Sequence, residues 1–205
     1  EVLRLAEAEV VVLLDDDPAK LGAAIGGVRV AGRVAELASP AKSGGSGGVD
    51  GGGATLLVVN AVGSAARPVA RQQVFERLRA AGWRFATLVH PAAVVAADVE
   101  LGEGAQVMAG AVIQPGTRIG ENAIINTRAS VDHDCVIGPH THIAPGATLS
   151  GNVTVGRGSH IGTGASVIQQ ITIGEGALIA AGAVVVTDVP AGATVKGVPG
   201  RAGGG

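Results

Sequence analysis

From Val89 to Val185 every sixth residue is Ile, Leu or Val, seventeen times in succession. A second register lies four residues after each aliphatic, running from Ala105 to Val189, and its members are small or at most Val-sized apart from Ile171. The outward positions between include Glu, Gln, Asn, Arg and His. Over this pattern Gly102, Gly120, Gly138, Gly156 and Gly174 recur every eighteen residues, so three hexapeptides form one coil. The pattern predicts a parallel β-helix of triangular section, in which each hexapeptide gives one short flat strand and one turn. The aliphatic points into a narrow prism, and the small residue lets the wall turn without filling the same space twice. At about 4.8 Å per coil, the five coils between Leu101 and Pro190 make a prism about 24 Å tall. No coil buries its aliphatics alone, so the stack folds as an array. The glycine column suits either a turn at positive φ or a close backbone approach.

Upstream the pattern changes. Residues 1–8 read as the back half of a helix, and 9–15 as a buried strand closed by Asp15, Asp16, Asp17 and Pro18. A short extended piece is expected at 28–30 and a short helix at 33–38. The run SGGSGGVDGGG at 43–53 is a flexible low-complexity loop. TLLVVN at 55–60 reads as a second buried strand, Pro68 to about Ala81 as a helix ended by Gly82, and Trp83 to Val89 as a third strand. This alternation suggests a small parallel α/β domain, whose ligands would sit beyond the carboxyl ends of its strands, at Asp15-Asp16 and Gly63-Ser64. A chain that opens in mid-helix looks incomplete, and about a dozen or more residues of strand and turn are expected upstream. After Val185 the register fails at Ala191 and Gly197, and the tail would cap the open end of the prism.

Composition narrows the function. Aromatics are only 1% of a chain that is 47% hydrophobic, and all three precede the repeat, so the prism is built from aliphatics and Ala and offers no stacking platform for single-stranded nucleic acid. A net charge of −2 with no basic block argues against nucleic acid in general. The single cysteine, Cys135, excludes an internal disulfide and falls on the inward small register. There is no apolar run long enough for a membrane span, and no signal peptide is visible.

Four of the five histidines lie in the array, none on an inward register, so all should face outward or lie at corners. His142 and His160 differ by one coil and should stack. His133 stands between Asp132 and Asp134, which can orient the ring and raise its basicity. A zinc site of the γ-class carbonic anhydrase kind needs a pair of His separated by four residues, which is absent, and an ice-binding face needs a column of Thr, which is absent too. A non-catalytic β-helix scaffold or binding module stays open beside an enzyme, and a zinc-dependent enzyme of the γ-class carbonic anhydrase kind is the remoter alternative.

The run NTRASVDHDCVIGPHTHIAPGATLSGNVTVGRGSHIGTGASVIQQITIGEGALIAAGAVV at 126–185, and SVDHDCVIG above all, resembles the hexapeptide-repeat acyltransferases with a left-handed β-helix. The nearest group is that of sialic acid O-acetyltransferases and UDP-4-amino-sugar N-acetyltransferases. VVVLLDDDPAKLG and AAGWRFATLVHPAAVV resemble that group's Rossmann-like N-terminal domain. The resemblance implies a sugar-nucleotide-binding domain at 1–88, about five left-handed 18-residue coils at 89–190 and a tail at 191–205. The left-handed sense comes from it alone and runs against the usual crossover rule. It further implies a cytoplasmic homotrimer that transfers acetyl from acetyl-CoA to an amine or hydroxyl of a sugar or nucleotide sugar, with no metal. By the same resemblance His133 is the general base, Asp134 polarises it, His142 faces the thioester carbonyl, and the Gly151 N–H stabilises the oxyanion. Thr163 and Ala181 line the CoA groove between subunits, and Asp15, Asp16, Gly63 and Arg71 meet the nucleotide sugar. The family's acceptor-side Gly-Asn-Asn is Gly63-Ser64-Ala65 here, and its GVPAK tail is GVPGR.

Overall fold

The computed structural model describes residues 10, 12–37, 56–63 and 68–203. From Leu88 to Val185 the chain winds through two-residue strands six residues apart, and those up to Ser166–Val167 each pair in parallel with the strand eighteen residues on. Three flat sheets result. The first face carries Leu88–Val89, Gln106–Val107, Ile124–Ile125, His142–Ile143, His160–Ile161 and Leu178–Ile179. The second runs from Val94–Val95 to Val184–Val185, and the third from Glu100–Leu101 to Thr172–Ile173. The inward residue of each strand and the small residue of each turn form one continuous core, from Ala105 to Val195. Polar members of the small register are satisfied inside it: Thr117 Oγ1 donates to Asp132 O, and Ser159 Oγ to Gly174 O.

The turns divide the work of glycine between two columns. The eighteen-residue glycines sit where coils touch: a Cβ on Gly138 would stand 2.7 Å from Arg157 N, backbone against backbone. The positive φ falls two residues later, at every hexapeptide turn from 104 to 182, and Asn122, Arg128, Asp134, His140, Asn152 and Gln170 take it without being glycine.

The tail corrects the sequence reading. It does not merely close the prism; it adds to the wall. Val189 bridges Ile173, and Thr194–Lys196 pairs in parallel with Leu178–Ile179, so the last coil is sixteen residues long instead of eighteen. The aliphatic register had failed because two residues are lost, after which it resumes at Val195. Arg201–Gly203 then folds back antiparallel on Thr194–Lys196.

The N-terminal region departs further. Leu13–Leu14 pairs in parallel with Val28–Gly32, which also pairs antiparallel with Ala24–Ile25. Val12 is 45% exposed, against the buried strand expected, because Leu13–Leu14 is the edge of a three-stranded sheet. Leu56 and Leu57 are likewise exposed, and within 55–60 the pairing among the described residues is the single bridge of Val58 to Phe85. The third expected strand shrinks to that bridge and to Leu88–Val89, the latter already part of the prism. The helix is as expected, over Val69–Ala80, here α1. The expected helix at 1–8 and the loop at 43–53 lie outside the described residues. Among the described residues no helix is long and apolar enough to cross a membrane.

α1 lies along one corner of the prism. Phe75 packs on Phe85, with ring centroids 4.3 Å apart, and touches the corner at Gly104, where a Cβ would come within 3.1 Å of the Phe75 ring and of Phe85 Cβ. Arg79 pairs with Glu121, Arg84 with Glu103 at 2.9 Å, and Glu76 with Arg157 at 3.0 Å. Beneath them is a buried polar network. Arg71 Nη1 donates to the carbonyls of Asn60 and Val62, and Nε to Asn122 O. Asn60 Nδ2 donates to Arg71 O and Asn122 Oδ1, and Gln106 Nε2 to Asn60 O.

Candidate active site

His133 lies in the turn between Ser130–Val131 of the second face and Val136–Ile137 of the third. That turn places residue 134 at φ 57°, which Asp accepts more readily than most side chains. Its N–H is held by Pro115 O at 3.0 Å. So fixed, the Asp134 carboxylate reaches His133, with Nδ1 and Oδ2 2.8 Å apart. A carboxylate oxygen accepts, so Nδ1 carries the proton and Nε2 keeps its lone pair. That hydrogen bond raises the imidazole pKa above its ordinary value, with the charges of Asp132 and Asp134 acting in the same direction. Nε2 lies against Gly151, one coil on: a Cβ there would stand 2.5 Å from it. A basic nitrogen therefore rests on a turn glycine, and among the described residues the N–H of that glycine donates to no backbone acceptor.

Cys135, two residues on, points into the core. It is fully buried, its Sγ lies 3.3 Å from Ser150 O, and burial pushes the thiol pKa up. It is no nucleophile.

His142, Thr163 and Ala181 come together elsewhere, on a cavity of about 380 Å³ along the first face and the corner that follows it. His160, Gly162 and Leu178 line it as well. His142 and His160 are register partners in adjacent coils, as their spacing predicts, and their rings meet edge to face at 4.9 Å. Burial lowers the pKa of His160. His142 faces out of the prism yet is only 7% exposed, and Asn126 Nδ2 lies 3.0 Å from its Nε2. His140 lies at a corner, as expected, but α1 covers it, and Phe75 stacks edge-on at 5.5 Å.

One chain does not join the two groups. Nine residues, half a coil, separate His142 from His133 and from Gly151 alike, so His133 and Gly151 share a corner while His142 lies on the face opposite. In the N-terminal region Asp15 is tied to Lys20 at 2.8 Å, a bond that lowers its pKa, and Asp16 Oδ1 accepts from Val34 N at 2.9 Å. Gly63 is exposed, with open space around it. Arg71 is 1% exposed and braces the loop at Asn60–Val62 from beneath, so it is placed as a support for Gly63 rather than as a contact at the surface. Burial lowers its pKa to about 10. Among the described residues no cluster of three or more His, Cys, Asp and Glu is set to hold a metal.

Sequence reasoning missed Asn126, and it noted His160 only as a column mate of His142. Asn126 has no periodic signal, because its contact crosses from a corner to the strand sixteen residues later.

The family model for the bacterial transferase hexapeptide (six repeats) matches residues 116–151. No curated protein matches the chain. Among solved structures, the acetyltransferase domain of PglB from Neisseria gonorrhoeae is similar, with 37% identity, a TM-score of 0.83, and coverage of 98% of this chain and 92% of that one. That domain has also been solved with acetyl coenzyme A. PerB from Caulobacter crescentus, in complex with CoA and GDP-perosamine, is 38% identical with a TM-score of 0.84, over 99% of this chain and 89% of that one. WeeI from Acinetobacter baumannii is 30% identical with a TM-score of 0.77, over 92% and 84%.

Proposed function

Since the chain belongs to the hexapeptide-repeat acetyltransferases of the left-handed β-helix type, we propose that it moves the acetyl group of acetyl-CoA onto the amine of a nucleotide-linked sugar. The observation that carries this reading is the contact of His133 Nε2 with Gly151, with Nδ1 held by Asp134. The amine attacks the thioester carbonyl carbon and gives its proton to Nε2. The carbonyl oxygen gains charge and is met by the Gly151 N–H and by His142. As the intermediate collapses, the C–S bond breaks, and the imidazolium returns the proton to the CoA thiolate. The products are an amide and free CoA, and no acyl-enzyme forms. The CoA thioester lies along the groove at His142, Thr163 and Ala181. Asp15, Asp16 and Gly63, braced by Arg71, face the nucleotide. The relatives solved with acetyl-CoA, and with CoA and GDP-perosamine, support this choice of substrates.

The split between corner and groove favours a site built from two copies, as in a homotrimer in the cytoplasm, where acetyl-CoA is made. A corner of one prism then faces the groove of the next. Thiol release from acetyl-CoA with GDP- and UDP-linked 4-amino sugars tests the reading. His133→Ala should lower kcat by about 10²–10⁴ with acetyl-CoA binding unchanged. Wild-type turnover in that variant would sink it. Co-refolded His133→Ala and His142→Ala chains should recover activity in about a quarter of their sites if the site is shared, and none if it is not.

A further inference from the structure

We propose that Asn126 is a positioning residue that fixes which nitrogen of His142 carries the proton. The inference rests on the acetyl-transfer reading only for its effect on turnover. Its geometry stands alone. Asn126 begins the corner after the first face, and its backbone is held on both sides: N donates to Ile143 O at 2.9 Å, and O accepts from Ala129 N at 3.0 Å. The side-chain amide has two ends, and a fixed donor chooses between them. Thr127 N, which can only donate, lies 2.7 Å from Asn126 Oδ1, and Thr127 Oγ1 lies 3.3 Å from the same atom. The oxygen end is thereby assigned to Thr127 and the NH₂ end to His142.

Asn126 Nδ2 lies 3.0 Å from His142 Nε2. A donor there requires an acceptor opposite, so Nε2 is unprotonated and the proton resides on Nδ1. Neutral imidazole in water favours the other tautomer, and imidazolium would set two donors face to face. The His142 ring cannot turn freely to escape, since it is buried and meets the His160 ring edge-on. Asn126 therefore selects a neutral Nδ1–H imidazole, a ring that offers a hydrogen bond without being a base at that atom. A thioester oxygen gaining charge needs a donor of that kind. Thr127 is the brace that keeps the amide from flipping.

The test begins with the wild-type protein and needs no activity. In ¹⁵N-histidine-labelled protein, the His142 signals, assigned by their loss in His142→Gln, should show Nδ1 protonated and Nε2 bare at pH 8. A protonated Nε2 overturns the proposal whatever the enzyme does. Asn126→Leu keeps the shape and removes the donor. It should move the proton to Nε2 and lower kcat by about 10²–10³, as for loss of one oxyanion donor, with KM for acetyl-CoA within about threefold. An unchanged tautomer in Asn126→Leu overturns the proposal, as does a switched tautomer at wild-type kcat. If the tautomer switches in a protein that acetylates nothing, the geometry holds and the acetyl-transfer reading is what fails.

Discussion

At position 134 one side chain meets two demands, a turn at positive φ and a carboxylate beside an imidazole. Asp134→Asn keeps the first and removes the second. Because Asp134 raises the pKa of His133, the acid limb of the kcat/KM profile should lie above the ordinary value of 6.5. The base works deprotonated, so activity falls as pH drops through that limb. In Asp134→Asn the limb should move to lower pH, while kcat on the plateau falls because Nδ1 loses its anchor. A limb that stays in place would mean that Asp134 does not act on His133. Gly151→Ala tests the contact from the other side. Its Cβ would push the His133 ring from its seat, and a displacement of that size costs about 10² in rate. The ring is exposed and can swing into solvent, so the melting temperature should hardly change. The pair His133–Asp134 was legible in the sequence, since adjacent residues carry their own proximity. Asn126 was not, since nothing local announces a partner sixteen residues away.

At the level of the coil, two glycine columns that look alike in sequence obey different constraints. Gly138 is pinned between backbone atoms of the next coil, and Gly138→Ala should cost about 1–3 kcal/mol, as overpacking does. Gly146 has open space but φ 66°, so Gly146→Ala should cost about 1–2 kcal/mol through left-handed strain. Asn at 146 should recover most of that, as it does naturally at 122 and 152, whereas Asn at 138 should be worse than Ala. Melting curves of the four variants decide it, and Asn ranking the same way against Ala at both sites would refute the distinction. The sequence showed the period of eighteen and left the reason for its glycines open, because spacing counts residues and does not report φ. The sixteen-residue last coil was hidden for a related reason: a two-residue deletion breaks a fixed register while the wall continues.

Across the molecule, the prism was legible, while in the N-terminal region the helix over Val69–Ala80 was legible and the strand pairing was not. The prism repeats one local rule, while the N-terminal contacts depend on single side chains such as Arg71 and Asn60. Their seam with the prism carries a pH dependence. Asn122 Nδ2 lies 2.9 Å from His140 Nδ1, and Asn122 Oδ1 is already occupied by Asn60, so His140 Nδ1 must accept and stay unprotonated. Burial accordingly lowers the His140 pKa, and likewise that of His160. A depressed histidine contributes stability that is complete above its unfolded value of 6.5 and is lost as pH falls toward the folded value, because the unfolded chain binds the proton first. The exposed His133, with its pKa raised, acts in the opposite sense and is screened by solvent. The urea midpoint should therefore fall between pH 7 and pH 5, and His140→Asn, which tolerates the φ of 57°, should flatten that slope. An unaltered slope would place the titration elsewhere.

The pairing of each strand with the one eighteen residues on also sets how the molecule can change length. Every rung contacts only the rung below and the rung above. A whole coil spliced in beyond Ile179 would leave His133 on Gly151 and His142 on His160 undisturbed. It would lift the terminal hairpin by one step of about 4.8 Å. A splice of a single residue within a strand would turn its inward aliphatic to the outside. The height of this staircase is quantised, and a cofactor tail laid along it can be matched only in whole treads.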